Sequence, residues 1–146
     1  RRQWPEGNGQ VVCFIMLNPS TADASMDDPT IRRCIGFARS WGYSILSVRN
    51  LFAYRATDPR ILLSVPDPVG ASRGNDELLA GCTAHLTVAA WGATVPWARD
   101  ASALAMIAQA FPGKQLWCLG KTKAGKPRHP LYVRASQPIE LFEVSP

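Results

Sequence analysis

Residues 11–20 read VVCFIMLNPS, a run of apolar side chains from Val11 to Leu17 followed at once by Asn18-Pro19-Ser20. Such an unbroken apolar run is typical of a strand covered on both faces, as in a parallel sheet. Three further short runs share this character, at residues 45–48 (ILSV), 86–91 (LTVAAW) and 115–119 (QLWCL). Together the runs predict a sheet of four main strands, and we expect a last strand over residues 139–144.

The segments between these runs predict helices. Pro29 stands at the first position of one helix, with Asp28 as its N-cap and an end expected near Gly42. Two more are predicted over residues 75–84 and 97–111. The alternation favours βαβ units, so we predict an α/β fold: a three-layer α/β/α sandwich with a central four-stranded, mainly parallel sheet, residues 1–146 forming one domain. In such sheets ligands bind outside the carboxyl ends of the strands.

The composition is that of a globular protein, with 47% apolar residues and a mean hydropathy of -0.06. No stretch approaches the roughly 18 unbroken apolar residues of a spanning helix, and no signal-peptide pattern opens the chain. The four cysteines form no CxxC pair, and the chain has only two histidines. We therefore expect a cytoplasmic monomer with reduced cysteines, no membrane contact, no metal site and no cofactor.

The positive charge is concentrated late in the chain. The net charge is +5, and no Asp or Glu occurs between Ala101 and Ile139. Six cations fall there: Lys114, Lys121, Lys123, Lys126, Arg128 and Arg134. An unneutralised basic stretch suits a phosphate backbone, and we expect DNA, double- or single-stranded, as the partner. The alternative is a solvated basic loop without a ligand.

Polar side chains follow the predicted strands where a ligand site is expected. Asn18 follows the first strand and Asn50 the second, and an amide offers a donor and an acceptor to a base edge. Each could equally be a turn residue that satisfies its own loop. His129-Pro130 ends the basic loop after the fourth strand, which favours a functional histidine over a structural one.

These motifs, Leu17-Asn18-Pro19-Ser20, Asn50 and His129-Pro130-Leu131, resemble those of the uracil-DNA glycosylase superfamily. The resemblance implies that Asn18 positions the attacking water, that Asn50 reads the base edge, and that His129 stabilises the departing base. It also implies phosphate contacts and an insertion into the duplex, for which the candidates are Lys121, Lys123, Lys126, Arg128, Leu131 and Tyr132.

The stretches NPSTADA, DDPTIRRC, NLFAYRATDP and PRHPLY resemble, over nearly the whole chain, a bacterial family catalogued as a domain of unknown function, which we group with these glycosylases. One departure from the uracil enzymes concerns the segment after the first motif, which has no aromatic residue before Phe37. It carries three carboxylates instead, Asp23, Asp27 and Asp28. Such groups could hold a hydroxyl-bearing base.

We therefore expect a monofunctional DNA N-glycosylase that acts on a flipped, modified base, in DNA repair or anti-phage defence. The catalytic candidates are Asn18, His129 and Asp23, the last as a general base because an amide cannot remove a proton. The candidates for base binding are Asn50, Pro19, Ser20, Asp27, Asp28 and Phe52. Two alternatives stay open: a non-catalytic DNA or modified-base binding module, and a hydrolase of free nucleosides or nucleotides.

Overall fold

The computed structural model describes residues 1–20 and 28–142, which fold around one mixed sheet. Its strands are β1 (Arg2–Gln3), β2 (Val11–Met16), β3 (Ile45–Asn50), β4 (Leu86–Ala89), β5 (Trp117–Cys118) and β6 (Glu140–Leu141). Their order across the sheet is β1-β3-β2-β4-β5-β6. The apolar run that opens the sequence thus forms a central strand.

The four inner strands β3, β2, β4 and β5 run parallel, as predicted from their apolar runs. The sheet is nevertheless six-stranded rather than four-stranded, because β1 and β6 add antiparallel edges. The β1 strand was not predicted, since its two residues are Arg and Gln and carry no apolar pattern. The predicted last strand shrinks to Glu140–Leu141 within the described residues.

Three α-helices connect the strands: α1 (Pro29–Ser40), α2 (Asn75–Ala80) and α3 (Arg99–Ala110). Asp28 is the N-cap of α1, as predicted, and its side chain accepts a hydrogen bond from the Ile31 amide. The prediction for α3 began two residues too early. Trp97 and Ala98 adopt left-handed φ values of 55° and 50°, so the helix starts at Arg99.

Helices cover both faces of the sheet, which confirms a layered α/β arrangement. On one face, Val12 and Phe14 of β2 pack with Phe37 of α1. On the other face, Ile15 packs with Leu79 of α2 and Ile107 of α3. Because β2 is central, its successive side chains belong alternately to the two cores, and burying each large apolar side chain contributes about 1.5–3 kcal/mol.

The cysteines are all free and buried, in agreement with the predicted reduced state: Cys13, Cys34, Cys82 and Cys118. Each therefore serves the packing of the two cores as a small apolar side chain. None of the helices in residues 1–20 and 28–142 is long and apolar enough to cross a membrane.

Candidate functional site

A cleft of about 1050 Å³ opens at the carboxyl ends of the parallel strands, where ligands bind in folds of this kind. Nine of the predicted site residues line it: Asn18, Pro19, Ser20, Asp28, Asn50, Arg128, His129, Leu131 and Tyr132. Its apolar floor includes Met16 and Trp91, which end or follow β2 and β4. The fold therefore brings together motifs that lie more than a hundred residues apart in the sequence.

Asn18 is fixed by the loop that follows β3. Its Nδ2 donates to the carbonyl oxygens of Ala56 at 2.9 Å, Pro19 at 3.2 Å and Tyr54 at 3.4 Å. The Ala56 amide in turn donates to Pro19 O at 3.0 Å. Because the amide nitrogen is committed to the backbone, the side-chain oxygen Oδ1 is the atom with which Asn18 can bind a ligand or a water. The turn interpretation and the functional one are thus compatible.

Two glycines let the segment before His129 lie against the strand ends. Gly92 has φ +89° and its amide donates to Pro127 O at 3.0 Å. Gly120, also at φ +89°, accepts the Arg128 amide at 3.0 Å. Other residues adopt this left-handed conformation only with strain. The two contacts place the His129 backbone at the mouth of the sheet.

The protonation of His129 follows from its local hydrogen bond. The Leu131 amide donates to Nδ1 at 3.2 Å, so Nδ1 acts as an acceptor and the ring hydrogen belongs on Nε2. Burial lowers the pKa of His129 below its usual value, while the nearby Asp28 carboxylate acts in the opposite direction. His129 is therefore a neutral imidazole at pH 7, with one N–H to donate.

Asp28 links the cleft to α1. One carboxylate oxygen, Oδ1, accepts the Ile31 amide at 2.8 Å, and Oδ2 accepts the Ser20 hydroxyl at 2.5 Å. The pair Ser20–Asp28 thus places oxygen atoms in the cleft lining, and the binding of a hydroxyl-bearing group by them stays a prediction. Asp23 and Asp27 lie outside the described residues.

Asn50 is the last residue of β3, and its half-buried side chain lines the cleft. No described residue forms a hydrogen bond with its amide group, which is thus available to a ligand. The backbone there is held from below, since Nδ2 of the buried Asn75 donates to Asn50 O at 3.0 Å and to Leu51 O at 3.3 Å. This anchor fixes the direction in which β3 delivers Asn50.

Phe52, predicted to bind the base, is fully buried and stands outside the cleft wall. It packs in the core beside Leu51 and Leu79. The β3 strand extends to Asn50, two residues beyond the predicted residues 45–48. Phe52, which was expected in a loop, therefore lies in the core. Phe52 supports the site from below.

The basic turn, residues 120–128, was predicted to contact phosphates, and most of it lies outside the cleft wall. Only Thr122 and Arg128 of this turn line the cleft wall described here. Lys126 instead forms an ion pair with Asp100 of α3, with Nζ 2.5 Å from Oδ2. Lys121 and Lys123 lie on the turn outside the cleft wall.

Leu131 and Tyr132 form an exposed apolar rim beside His129. Tyr132 is 80% exposed and Leu131 is 43% exposed. Both belong to the short 3-10 helix Pro130–Tyr132, and the Tyr132 ring lies 5.5 Å from the His129 ring. Exposed apolar side chains at the mouth of a cleft suit insertion between bases.

Four arginines of the cleft were not predicted from the sequence. Arg1, Arg2, Arg55 and Arg60 line it together with Arg128. Arg55 and Arg60 occur in RATDPR after β3, so a search for cations behind each strand could have found them. Arg1 and Arg2 carry no such signal, because they reach the cleft only through the pairing of β1 with β3.

The cleft thus combines a neutral imidazole donor, two amides, one carboxylate and several guanidinium groups. This set can recognise a polar heterocycle and an anionic backbone. In the part of the chain that the structure describes, no three His, Cys, Asp or Glu side chains come together as metal ligands do.

Comparison with known proteins adds a family. No curated protein and no solved structure matched the chain. A family model described as "Protein of unknown function (DUF1643)" matches residues 1–131, a span that contains Asn18, Asn50 and His129. This agrees with the resemblance to a domain-of-unknown-function family, whereas the glycosylase resemblance stays a prediction. The chain belongs to the DUF1643 family.

Proposed function

We propose that the protein is a DNA glycosylase that hydrolyses the N-glycosidic bond of a flipped, modified base, in DNA repair or anti-phage defence. The observation that carries the proposal is the hydrogen bond from the Leu131 amide to His129 Nδ1, which leaves Nε2 to carry the ring hydrogen. His129 lies in the same cleft as Asn18 and Asn50. An N–H donor facing a polar heterocycle is what the departure of a base requires.

Cleavage of the bond between the sugar C1′ and the base nitrogen leaves both bonding electrons on the base. The sugar becomes an oxocarbenium-like cation, and the base becomes an anion. A donor placed where this charge develops is worth about 3 kcal/mol of barrier. His129 supplies it from Nε2 without giving up its proton, so the base leaves as a stabilised anion and is protonated by solvent.

Water completes the reaction by adding its oxygen to C1′ and releasing a proton. Asn18 holds this water through Oδ1, the atom that its contacts with Ala56 and Pro19 leave for a ligand. An amide does not take up the proton. The water therefore attacks the formed cation and the proton passes to solvent, or Asp23 accepts it as a general base.

The proposed substrate is a base larger than uracil, and the cleft has room for one. Its volume of about 1050 Å³ is at the upper end of small-molecule sites. Asn50 offers both a donor and an acceptor to the base edge, and the Ser20–Asp28 pair offers acceptors to hydroxyl groups. A substrate derived from hydroxymethylcytosine, as in phage DNA, combines both features.

The rim provides the contacts that extract a base from DNA, a step that costs a few kcal/mol. Arg55 and Arg128 bring cations to phosphates at the cleft, whereas the Arg60 guanidinium is paired with Asp58 at 2.8 Å. Leu131 and Tyr132 occupy the gap that the flipped base leaves in the stack, which offsets part of the lost stacking.

The test is an excision assay on a panel of oligonucleotides containing uracil, hypoxanthine, hydroxymethylcytosine or glucosylated hydroxymethylcytosine, read as strand breaks after alkali. We expect breaks with one of the modified cytosines. His129→Ala and Asn18→Ala should lose excision and retain most DNA affinity. His85→Ala is the matched control, because His85 Nδ1 also accepts a hydrogen bond from a backbone amide, that of Val11 at 3.1 Å. His85 lies at the amino ends of the parallel strands, away from the cleft.

Other results would identify the alternatives. Salt-sensitive binding without breaks on any oligonucleotide would indicate a non-catalytic module that recognises DNA or a modified base. Activity on free nucleosides or nucleotides that does not vary with salt would indicate a hydrolase without a DNA substrate. Excision that His129→Ala leaves at the wild-type rate would show that the site is wrong.

A further inference from the structure

Trp97 is the exposed tryptophan of this chain. Of the five tryptophans, Trp4 and Trp91 are 7% and 2% exposed, and Trp41 and Trp117 are half-buried. Trp97 is 63% exposed. An indole is the largest apolar side chain, and leaving one in water forgoes the free energy of its burial. Its exposure leaves the indole ring accessible to a ligand.

The backbone holds Trp97 in this exposed position under strain. Trp97 and Ala98 are the non-glycine residues with positive φ among those described. The following residue, Arg99, is buried and firmly held, with Nε donating to Leu51 O at 2.8 Å and NH2 2.5 Å from Asp76 Oδ1. Strain that the surrounding contacts maintain is typical of functional positions.

Trp97 lies beside the candidate site and contacts the core below it. Its ring lies 6.1 Å from that of Phe52, at an interplanar angle of 60°. Phe52 is fully buried and comes two residues after Asn50. The preceding Thr94 and Pro96 line the cleft. The indole is thus supported from the core and stands just outside the cleft.

The basic turn lies on the same side. Lys126 Nζ is 2.5 Å from Oδ2 of Asp100, in the first turn of α3 and three residues after Trp97. This ion pair holds Lys126 of the basic turn against the first turn of α3, the helix that follows Trp97. An exposed aromatic ring beside cations is the combination with which proteins bind single-stranded nucleic acid, because bases stack and phosphates are neutralised.

We propose that Trp97 is a stacking platform for an unpaired nucleobase that flanks the base held in the cleft, with the phosphates of that strand on Lys121 and Lys123. The nature of the partner rests on the proposed function. The substrate would then include a single-stranded segment, whose base stacks on Trp97 outside the cleft.

The test uses the full chain and a single-stranded oligothymidylate, which contains no substrate base. We expect saturating oligothymidylate to quench tryptophan emission clearly less in Trp97→Phe than in the wild type, because the remaining tryptophans are buried or half-buried. Trp97→Phe keeps an aromatic ring and should bind within about threefold of the wild type, whereas Trp97→Leu should bind about tenfold more weakly. Leu78→Ala, a change at an apolar residue of α2 that is 54% exposed, is the control and should bind as the wild type does.

Undiminished quenching in Trp97→Phe, or wild-type affinity in Trp97→Leu, would overturn the platform. Equal quenching by polyglutamate would also overturn it, because an acidic peptide has no bases. The two proposals fail separately. If no oligonucleotide of the panel is cleaved but Trp97→Leu binds tenfold more weakly, the glycosylase proposal is wrong and the stacking platform is retained. Excision with unchanged binding by Trp97→Leu removes the platform alone. Absence of oligothymidylate binding by the wild type at low salt removes the platform, and the excision panel alone then decides on the glycosylase.

Discussion

Arg33 and Pro130 join helix α1 to the loop that carries the candidate histidine. The Nε of Arg33 donates to Pro130 O at 3.2 Å, its NH2 group donates to Val133 O, and its guanidinium lies 5.6 Å from the centre of the Phe37 ring. One side chain thus ties together the two ends of the 3-10 helix after His129. Because α1 begins at Asp28, the same helix fixes the cleft on both of these sides.

Arg33→Met should therefore lower activity by displacing His129 without removing it. A misplacement of about 1 Å can cost on the order of a hundredfold in rate. We expect kcat of Arg33→Met on the active oligonucleotide to fall about ten- to a hundredfold while DNA affinity changes little. The kcat of Arg33→Lys should lie between those of the wild type and Arg33→Met. Single-turnover rates and binding titrations measure this.

The control is Arg39→Met on the same helix, where the guanidinium lies 5.1 Å from the centre of the Trp4 ring, away from the site. A loss of rate as large in Arg39→Met as in Arg33→Met would mean that destabilisation of α1, and not the loop contact, is responsible. The ring-nitrogen NMR signals of His129 should shift in Arg33→Met alone.

His129 should titrate below the ordinary histidine pKa of about 6.5, because burial disfavours its cation. Protonation places a hydrogen on Nδ1 and opposes the Leu131 amide, so excision should be constant above neutral pH and fall in acid. A rate that rises as the pH falls from 7 to 5 would contradict the neutral donor.

The same shift affects stability. A histidine whose folded-state pKa is depressed stabilises the fold fully above its unfolded pKa, and this contribution is lost as the pH falls through the folded pKa. The Tm of the wild type should therefore decrease more steeply than that of His129→Gln from about pH 7 downward. Thermal unfolding of both proteins as a function of pH provides the measurement.

The lysines of the basic turn should separate into two roles. Lys126→Met leaves the carboxylate of Asp100, 6% exposed, without its cation and should lower the free energy of unfolding by about 1–2 kcal/mol. Lys123→Met removes an exposed charge, so we expect unchanged stability and a salt slope of log K for DNA that is lower by about one. Urea unfolding and binding titrations at several salt concentrations distinguish the two variants, and equal stability of both would show that the Asp100 pair is not stabilising.

The sequence predicted best where one local pattern decides the outcome. Continuous apolar runs identified the parallel strands, and Asp28-Pro29 identified the start of α1, because a cap and a proline act within one turn. The edge strand β1 was not predicted, because its pairing with β3 stabilises it and its own residues show no strand pattern. The start of α3 was misjudged because the buried contacts of Arg99 fix it.

The candidate site was predicted as a set of positions and not as a set of contacts. Strand ends converge in a parallel sheet, so Asn18, Asn50 and His129 were correctly expected at one edge. Charge alone could not separate Lys126 from Arg128, because the partner of Lys126 is Asp100, distant in sequence. Phe52 was misplaced because strand length, which decides whether a side chain faces core or cleft, is poorly encoded locally.

Asp28 has two roles that substitutions can separate. As the N-cap of α1 it accepts the Ile31 amide at 2.8 Å, and as a carboxylate it accepts the Ser20 hydroxyl and raises the pKa of His129. Serine caps a helix nearly as well as aspartate, whereas alanine costs about 1 kcal/mol. Asp28→Ser should therefore keep the wild-type Tm more closely than Asp28→Ala.

Both variants lose the carboxylate, so in both the pKa of His129 should fall further, since only burial then acts on it. If Asp28 binds a hydroxyl of the base, both should also lose more activity on a glucosylated base than on one without hydroxyl groups. NMR titration of His129 and competition between two oligonucleotides measure these effects. An unchanged His129 pKa in Asp28→Ser would place the carboxylate too far away to act on the imidazole, and its role would then be confined to the start of α1.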